Sequence, residues 1–227
     1  WSQTFGGSYD DSAYSIEKTS DGGYIIVGST RPDENEANDI YIVKIDASGN
    51  EIWSQTLGEG SGNDIAYSIK ETSDGGFILA GYTESSTTGA ENMYLVKTNS
   101  SGNEMWSQIL EVSSGCRSVE QTLDGGFILT CNGMYLVKTD ASGNEMWSQN
   151  FQGQVSGGNV GFYDIAISGG GYIMAGYTQT NNYSHDMYVI KTDASGGEMW
   201  RKTHGEEDLD KLIDPTPGTT EIGYSID

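Results

Sequence analysis

Short apolar runs alternate with turns rich in Gly and Asp along the whole chain. Four runs in one representative stretch have the length and the β-branched and aromatic content of strands: 65–70, 77–82, 93–98 and 104–108. Asp-Gly pairs between such runs indicate tight hairpins, because Gly adopts positive φ at little cost. No window of a dozen residues has the period of a helix. The pattern predicts a unit of four antiparallel strands, which we label A to D.

This unit recurs with a period of about 50 residues, and each copy carries one tryptophan. The tryptophans are spaced by 52, 53, 41 and 53 residues, and they are Trp1, Trp53, Trp106, Trp147 and Trp200. A fixed period of this size is typical of stacked repeat architectures. Four complete repeats are predicted at about 12–57, 65–110, 116–151 and 163–204. A lone D-type strand at 1–5 and a lone A-type strand at 223–227 remain.

Strands B and C are almost continuously apolar, as at 25–27 and 41–43, so both faces of each sheet need cover. An isolated four-stranded sheet cannot supply that cover, but sheets stacked face to face around an axis can. We therefore predict an all-β fold, a β-propeller of four-stranded antiparallel blades forming a single domain over 1–227. The tryptophans would fill the gaps between adjacent blades. A β-solenoid is the alternative, although its rungs are usually shorter.

Four motifs of the second unit have a known counterpart: AYSI at 66–69, DGGFILAGYT at 74–83, YLVK at 94–97 and SGNEMW at 101–106. They resemble the bacterial and archaeal beta-propeller repeat of secreted and surface proteins (SBBP-like repeats), and the resemblance spans nearly the whole chain. It implies a propeller in an extracellular or cell-surface setting. It implies little about function, because such propellers have many roles.

The chain is strongly acidic, with 11 basic and 33 acidic residues and a net charge of −22. This balance disfavours nucleic acid and anionic membranes, because phosphate binding needs a basic surface. It suits a soluble protein, a saline habitat or association with divalent cations. No run of 18 apolar residues occurs, so no membrane insertion is predicted.

The chain begins within a repeat and has neither an initiator Met nor a signal peptide, as expected of a processed chain, a fragment or an incompletely resolved one. Three arrangements of its ends remain open. The chain could be part of a larger propeller or a compact ring of four or five blades with an irregular seam. Alternatively, its open strand edges could pair with further copies in a filament or surface layer.

The two cysteines occupy equivalent places on strands A and B of the third repeat. Cys116 aligns with Ala66, and Cys131 aligns with Gly81, at similar distances from the Asp-Gly turn. They should therefore be neighbours across the two strands, and we predict a disulfide, which favours an oxidising compartment. Two unpaired buried thiols are the alternative.

Two Asn-x-Ser/Thr sequons, at Asn99 and Asn182, fall in a C–D turn and a B–C loop. Both should be exposed, so glycosylation is a further hypothesis for an extracellular protein. Two matches are also expected by chance in a chain rich in Ser, Thr and Asn.

Variable loops between strands D and A and between strands B and C share one face, whereas the repetitive turns lie on the other. Variable loops on a rigid scaffold are where binding sites are usually found. Aromatic residues at this face suggest stacking on sugars, with simple loop packing as the alternative: Tyr9, Tyr82, Phe162, Tyr177 and Tyr183. Carboxylates at the same rim suggest a Ca²⁺ site, with loop-closing hydrogen bonds as the alternative: Asp11, Asp39, Asp64 and Asp186.

Strand C carries a recurring lysine (Lys44, Lys97, Lys138 and Lys191), which we interpret as a polar partner for a neighbouring blade. No nucleophile or metal motif is present, and the only histidines, His185 and His204, lie apart, so no enzyme is predicted. The leading hypothesis is a non-enzymatic, extracellular structural or adhesive propeller that has copies of itself or further repeats as partners. A carbohydrate-binding propeller and a calcium-stabilised surface assembly are the alternatives.

Overall fold

The computed structural model describes residues 2–58, 62–84, 88–113, 115–151, 160–179 and 185–205. These residues form strands and turns and contain no helix. The strands, numbered in chain order, are β1 Asp11–Lys18, β2 Tyr24–Thr30, β3 Asp39–Ile45, β4 Glu51–Leu57, β5 Asp64–Glu71, β6 Phe77–Glu84, β7 Glu91–Thr98, β8 Glu104–Ser113, β9 Cys116–Gln121, β10 Phe127–Cys131, β11 Tyr135–Thr139, β12 Glu145–Asn150, β13 Val160–Ser168, β14 Gly171–Gln179, β15 His185–Thr192 and β16 Glu198–His204.

Each group of four consecutive strands forms one antiparallel sheet in simple meander order. The sheets are blade 1 (β1–β4), blade 2 (β5–β8), blade 3 (β9–β12) and blade 4 (β13–β16). The predicted fold class, an all-β protein of four-stranded antiparallel blades, is confirmed. Residues 2–5 belong to none of the four sheets, and the predicted strand at 223–227 lies outside the described residues.

In the described part of the chain, the core consists of three separate layers, one between each pair of consecutive blades. We call the side of a blade that meets the preceding blade its entry face, and the side that meets the following blade its exit face. At the first junction, Ile25, Val27, Ile40 and Ile42 of blade 1 pack against Ile69, Leu79, Tyr94 and Val96 of blade 2. The second and third junctions repeat this arrangement at equivalent positions. Strand A of each blade also packs on strand A of the next, so the A strands are innermost.

A tryptophan of strand D lies at each of these three junctions. The ring of Trp106 packs 6.0 Å from Phe127, the first residue of strand B in the next blade. The next blade also places the C–D turn at Gly143 against the indole, where a Cβ would come within 2.6 Å of the ring. Trp53 and Trp147 have the same surroundings. Trp200 is 40% exposed, and Trp1 lies outside the described residues.

The recurring lysine of strand C pairs within its own blade, so our interpretation of it as a partner for a neighbouring blade is wrong. The buried Nζ of Lys97 lies 3.0 Å from Oδ1 of Asp74 in the A–B turn and donates to the carbonyl of Thr98. The turn approaches so closely that a Cβ on Gly76 would meet Nζ at 2.5 Å. Blades 1 and 3 repeat the ion pair with Lys44–Asp21 and Lys138–Asp124. Lys191 of blade 4 instead donates to the carbonyl of Ser168.

Hydrogen bonds in these turns lower the pKa of Asp21, Asp74 and Asp124 to about 2, from the ordinary 3.8. The Thr19 hydroxyl is the main cause at Asp21, followed by the Gly23 N–H and the lysine. Because the folded-state pKa is depressed, the stabilisation is complete above about pH 4 and is lost as the pH falls towards 2.

We therefore expect the urea midpoint of the native protein to fall between pH 4 and pH 2 more steeply than that of an Asp21→Asn, Asp74→Asn, Asp124→Asn variant. The variant keeps the other titrating carboxylates, so the difference between the two curves isolates these three turns. Parallel curves would show that the turn carboxylates contribute nothing to acid unfolding.

Cys116 and Cys131 are paired across β9 and β10 and form the predicted disulfide. The equivalent pairs are Ala13–Gly28 in blade 1 and Ala66–Gly81 in blade 2, in agreement with the alignment of the repeats. Both cysteines are fully buried in the layer between blades 2 and 3. The bridge indicates a location outside the reducing cytoplasm.

Candidate functional site

Strand A of every blade contains a β-bulge at the same position. In blade 2, the pairing with β6 passes from Ala66 directly to Ser68 and leaves Tyr67 as the extra residue. Bulges redirect a side chain and are common beside binding and active sites. The extra residues of the four blades are Tyr14, Tyr67, Arg117 and Tyr163.

The bulge brings strand A very close to strand B. A Cβ on Gly81 would lie 1.8 Å from the carbonyl oxygen of Ile65, and Gly28 and Gly176 are equally restricted by their own A strands. Glycine at these positions therefore permits the close approach. The bulges lie near the start of strand A, so their side chains are presented at the face of the D–A and B–C loops.

Three bulge residues meet across the innermost strands of blades 1 to 3. The Tyr14 ring contacts Tyr67 edge to face, with 5.1 Å between centroids. The guanidinium carbon of Arg117 lies 4.0 Å above the centre of the Tyr67 ring, a cation–π arrangement. The Tyr82 ring, near the end of strand B, lies 6.0 Å from the Tyr67 ring, and Arg117 Nε donates to Oδ1 of Asn132 at 3.3 Å. We call the five residues Tyr14, Tyr67, Tyr82, Arg117 and Asn132 the bulge cluster.

The bulge cluster combines aromatic surface with one cation and neutral hydroxyls. Burial raises the pKa of Tyr82 to about 12. Burial also raises the pKa of Tyr67, and the charge of Arg117 partly opposes this shift. Both phenols are therefore protonated at neutral pH and can donate hydrogen bonds. Tyr14 is 46% exposed and Arg117 is half-buried, so an external partner can reach the cluster.

A second aromatic group lies at the same face of blade 4. The bulge residue Tyr163 packs 5.5 Å from Tyr177, which contacts His185 edge to face at 4.9 Å. Tyr177 thus occupies in blade 4 the position that Tyr82 has in blade 2. The same two strand positions supply ring surface in both blades.

Polar contacts between neighbouring A strands hold the bulges in place. Lys70 of blade 2 lies 3.3 Å from Glu17 of blade 1 and 3.1 Å from Glu120 of blade 3, so it links three blades. Burial alone would lower the pKa of Lys70, but the two carboxylates outweigh it and raise the pKa. The Ser118 hydroxyl likewise donates to Asp164 of blade 4 at 2.7 Å. These bonds fix the relative positions of the strands that carry the cluster.

The aromatic residues predicted from the loop pattern are distributed unevenly. Tyr82 belongs to the bulge cluster, and Tyr177 belongs to the blade 4 group. Phe162 is 1% exposed and packs on Phe151 and Tyr188 in the core, so it is not accessible to a ligand. Tyr9 is 44% exposed in the segment before β1. Tyr183 lies outside the described residues.

The predicted calcium ligands do not assemble into one site. In the described part of the chain, no three His, Cys, Asp or Glu side chains are placed to share a metal ion. Asp11 accepts a hydrogen bond from the Gly7 N–H at 2.8 Å, as in the loop-closing alternative. Asp39 and Asp64 approach each other only as a pair beside Gly58, where burial raises the pKa of Asp39. Asp186 lies against Gly205 in another blade.

The C–D turn explains why Asn99 is found where other copies have aspartate. Its Oδ1 accepts hydrogen bonds from the N–H groups of Ser101 and Asn103, as Asp46 does from Ser48 and Asn50. The residue therefore has a structural role in the turn, and glycosylation at this position stays a prediction. Asn182 lies outside the described residues.

Sequence reasoning missed Tyr14, Tyr67, Arg117 and Tyr163, which it treated as ordinary strand A positions. One signal was available, because this position directly follows the residue that aligns with the cysteine of blade 3. A large polar or aromatic residue occupies it in every repeat, although it lies beside small or buried neighbours. A large polar or aromatic side chain in the innermost strand has to be directed away from the buried layers, and the bulge does this.

The chain is a β-propeller module by its sheet order, but no known family model and no curated protein matches its sequence. Among solved structures it is similar to BamB from Moraxella catarrhalis, with 13% identity, a TM-score of 0.49, and coverage of 83% of this chain and 48% of BamB. It is also similar to a protein of unknown function from Bacteroides caccae, with 11% identity, a TM-score of 0.49, and coverage of 84% and 81%.

A third similar structure is YCF48 bound to D1 peptide, with 16% identity, a TM-score of 0.48, and coverage of 92% of this chain and 57% of YCF48. The chain thus spans about half the length of BamB and of YCF48. The described residues include no helix long and apolar enough to cross a bilayer.

Proposed function

We propose that this protein is a non-enzymatic adhesive module that acts outside the cytoplasm and binds a protein partner through the bulge cluster. The observation that carries the proposal is the Arg117 guanidinium stacked on Tyr67 beside the exposed ring of Tyr14. Tyr and Arg, together with Trp, are the residues enriched at the energetic centres of protein interfaces. Tyr82 and Asn132 add a hydroxyl and an amide at the edge of this surface.

The rigidity of the site supports recognition. In blades 1 and 2, a glycine of strand B lies against the bulged A strand, and in blade 3 the disulfide Cys116–Cys131 joins the same two strands. The ion pairs of Lys70 with Glu17 and Glu120 connect the three A strands. A partner would then bind side chains that are already ordered, so little conformational entropy is lost on association. Among solved structures of similar fold, YCF48 is described with a bound peptide, which makes a peptide segment a reasonable partner to test.

Charge and redox chemistry support the proposed location. The disulfide favours an oxidising compartment, and a net charge of −22 keeps an exported protein soluble while it repels nucleic acid and anionic membranes. Against this acidic background, Arg117 is a local positive group that selects the part of a partner that can dock. The resemblance of the repeats to those of secreted and surface proteins points to the same location.

Carbohydrate binding is the second candidate, favoured by the same rings. Tyr14 exposes an aromatic surface beside hydroxyl and amide groups, and sugars combine apolar ring faces with hydroxyls. A glycan would need direct stacking on Tyr14, since Arg117 already covers one face of Tyr67. The two candidates therefore differ in how strongly they depend on Arg117.

The proposal is tested by incubating the labelled protein on a peptide array and on a glycan array. We expect peptide binding that Tyr14→Ser and Arg117→Gln each weaken by about tenfold or more, the loss of one interfacial anchor. Tyr9→Ser is the matched control, because Tyr9 has nearly the same exposure as Tyr14 but lies outside the cluster. Far-UV circular dichroism verifies that each variant is folded.

Glycan binding that depends on Tyr14 but not on Arg117 would support the second candidate instead. Binding that survives both cluster substitutions, or is lost equally in the Tyr9 control, would contradict a site at the bulge cluster. Turnover of a bound peptide or polysaccharide, abolished by replacing one carboxylate, would show that the protein is an enzyme.

A further inference from the structure

The two outermost blade faces are built like the junctions inside the molecule but are incompletely covered. On the entry face of blade 1, Ile16 is 60% exposed. The residues at the same repeat position in the other blades, Ile69, Val119 and Ile165, are at most 1% exposed. Ile26 and Tyr41 on this face are also only half-buried, whereas Leu79 and Tyr94 of blade 2 are buried.

The exit face of blade 4 is also incompletely covered. Ile173, Met187 and Val189 are half-buried. Their equivalents in blade 1 are Ile25, Ile40 and Ile42, and these are fully buried against blade 2. Trp200, the strand D tryptophan of this blade, is 40% exposed, whereas the other described tryptophans pack on an aromatic residue of the next blade.

The internal junctions show which surface fits each of these faces. At all three junctions, an exit face of branched aliphatic or methionine side chains packs on an entry face of the next repeat. Among the described residues, the exit face of blade 4 and the entry face of blade 1 are thus left without a partner blade, although both are built from the repeat positions that meet at the internal junctions. No hydrophobic cluster joins blade 1 to blade 4 in the described part of the chain.

We propose that copies of this chain associate head to tail, with the exit face of blade 4 in one copy packed on the entry face of blade 1 in the next. Trp200 would then pack on Tyr24, which begins strand B of blade 1, as Trp53 packs on Phe77. Such a heterologous contact uses two different surfaces, so it generates open chains or closed rings of copies. The inference is independent of the bulge cluster and of the function proposed for it.

Residues 3–5 cover part of the entry face and must leave it when a second copy docks. With the blade, they line an open pocket of about 450 Å³ that includes Phe5, Ile16, Ile26 and Val43. The segment is paired with no strand and leaves Ile16 exposed, so it covers the face less completely than a sheet does. Removing residues 1–7 is therefore expected to strengthen association.

Mutual repulsion between copies opposes this contact, since each chain has a net charge of −22. Salt screens such repulsion but leaves apolar burial in place. Sedimentation velocity and light scattering should therefore show masses above that of one chain, which increase with protein concentration and with salt. A single-chain mass under all these conditions, also without residues 1–7, would overturn the proposal.

Substitutions on the two faces test the head-to-tail geometry. Ile16→Asp blocks the entry face, and Val189→Asp blocks the exit face. Each substitution places a charge in an apolar contact, so the self-association of either variant alone should weaken by about tenfold or more. An equimolar mixture keeps one intact junction and should form a complex of two chains and no larger. Ile52→Asp is the matched control, because Ile52 is 54% exposed on strand β4 of blade 1. Its equivalents Met105 and Met146 are each 59% exposed although blades 2 and 3 have a blade on either side, so this position stays outside a junction between blades.

Each outcome separates this proposal from other kinds of association. A symmetric dimer through one face would lose association in only one of the two variants and would not be restored in the mixture. Equal weakening by Ile52→Asp would assign the effect to charge rather than to the faces. If Val189→Asp prevents folding, Met187→Asp blocks the same face at a position nearer the end of the strand, and the mixture experiment is repeated with it.

Discussion

Trp106→Ala is expected to lower the free energy of unfolding by about 3 kcal/mol, whereas Trp200→Ala should lower it by less than about 1 kcal/mol in the dissociated chain. The two residues have the same place in strand D of their repeats. Trp106 fills the space between Phe127 and the turn at Gly143, so its removal opens a cavity in the junction between blades 2 and 3. Trp200 is 40% exposed and leaves no such cavity.

Urea denaturation at low protein concentration, monitored by circular dichroism, measures both values. Trp147→Ala provides a second junction variant, with Tyr172 in place of Phe127. Equal losses at Trp106 and Trp200 would show that the indole stabilises its own blade rather than the contact between blades. The comparison therefore tests whether the repeat tryptophan acts as the link between consecutive sheets.

The sequence contained enough information to predict the blades and their stacking. Apolar runs on strands B and C required cover on both faces, and the three described core layers provide it. The alignment of Cys116 with Ala66 and of Cys131 with Gly81 was sufficient to place the disulfide, because equivalent repeats pair strands A and B in the same register. The stacking was predictable because the apolar pattern is visible within a single repeat. The disulfide was predictable because the third repeat differs from the second at two aligned positions.

The bulges could not be predicted in the same way. A bulge adds one residue to one strand of a pair, and comparison of repeats reveals it only where some copies lack it. Here all four blades contain the bulge at the same place, so the repeats align without a gap. The side chain of Tyr67 therefore had no visible reason to differ in direction from its neighbours.

Proximity in sequence was also misleading for charged and aromatic residues. Lys97 lies two positions from Asn99 in the sequence, but Asn99 accepts hydrogen bonds from its own turn, and Lys97 donates to Asp74 in the A–B turn of the same blade. Phe162 lies close to the variable loop face in sequence, yet its place in the bulged pairing directs it into the layer between blades 3 and 4. Both errors arise because register, rather than distance along the chain, determines which side of a strand a residue occupies.

Replacing the disulfide by the Ala–Gly pair found in blades 1 and 2 is expected to lower the free energy of unfolding by about 3 kcal/mol. The double variant Cys116→Ala, Cys131→Gly gives blade 3 the residues of the Ala13–Gly28 and Ala66–Gly81 pairs. Its local packing therefore follows a pattern that this fold already accepts, and the main change is the loss of the cross-link. Since the bridged residues are 15 positions apart, the unfolded chain gains the freedom of a short loop.

Urea denaturation of the native protein with and without a reductant provides the control for this variant. If the cross-link acts through the unfolded state, the reduced native protein and the double variant should have similar stabilities, both below that of the oxidised protein. A variant as stable as the oxidised protein would show that the bridge adds nothing to an adequate Ala–Gly contact. A variant far less stable than the reduced protein would show that the two buried sulfur atoms contribute mainly by filling the layer between blades 2 and 3.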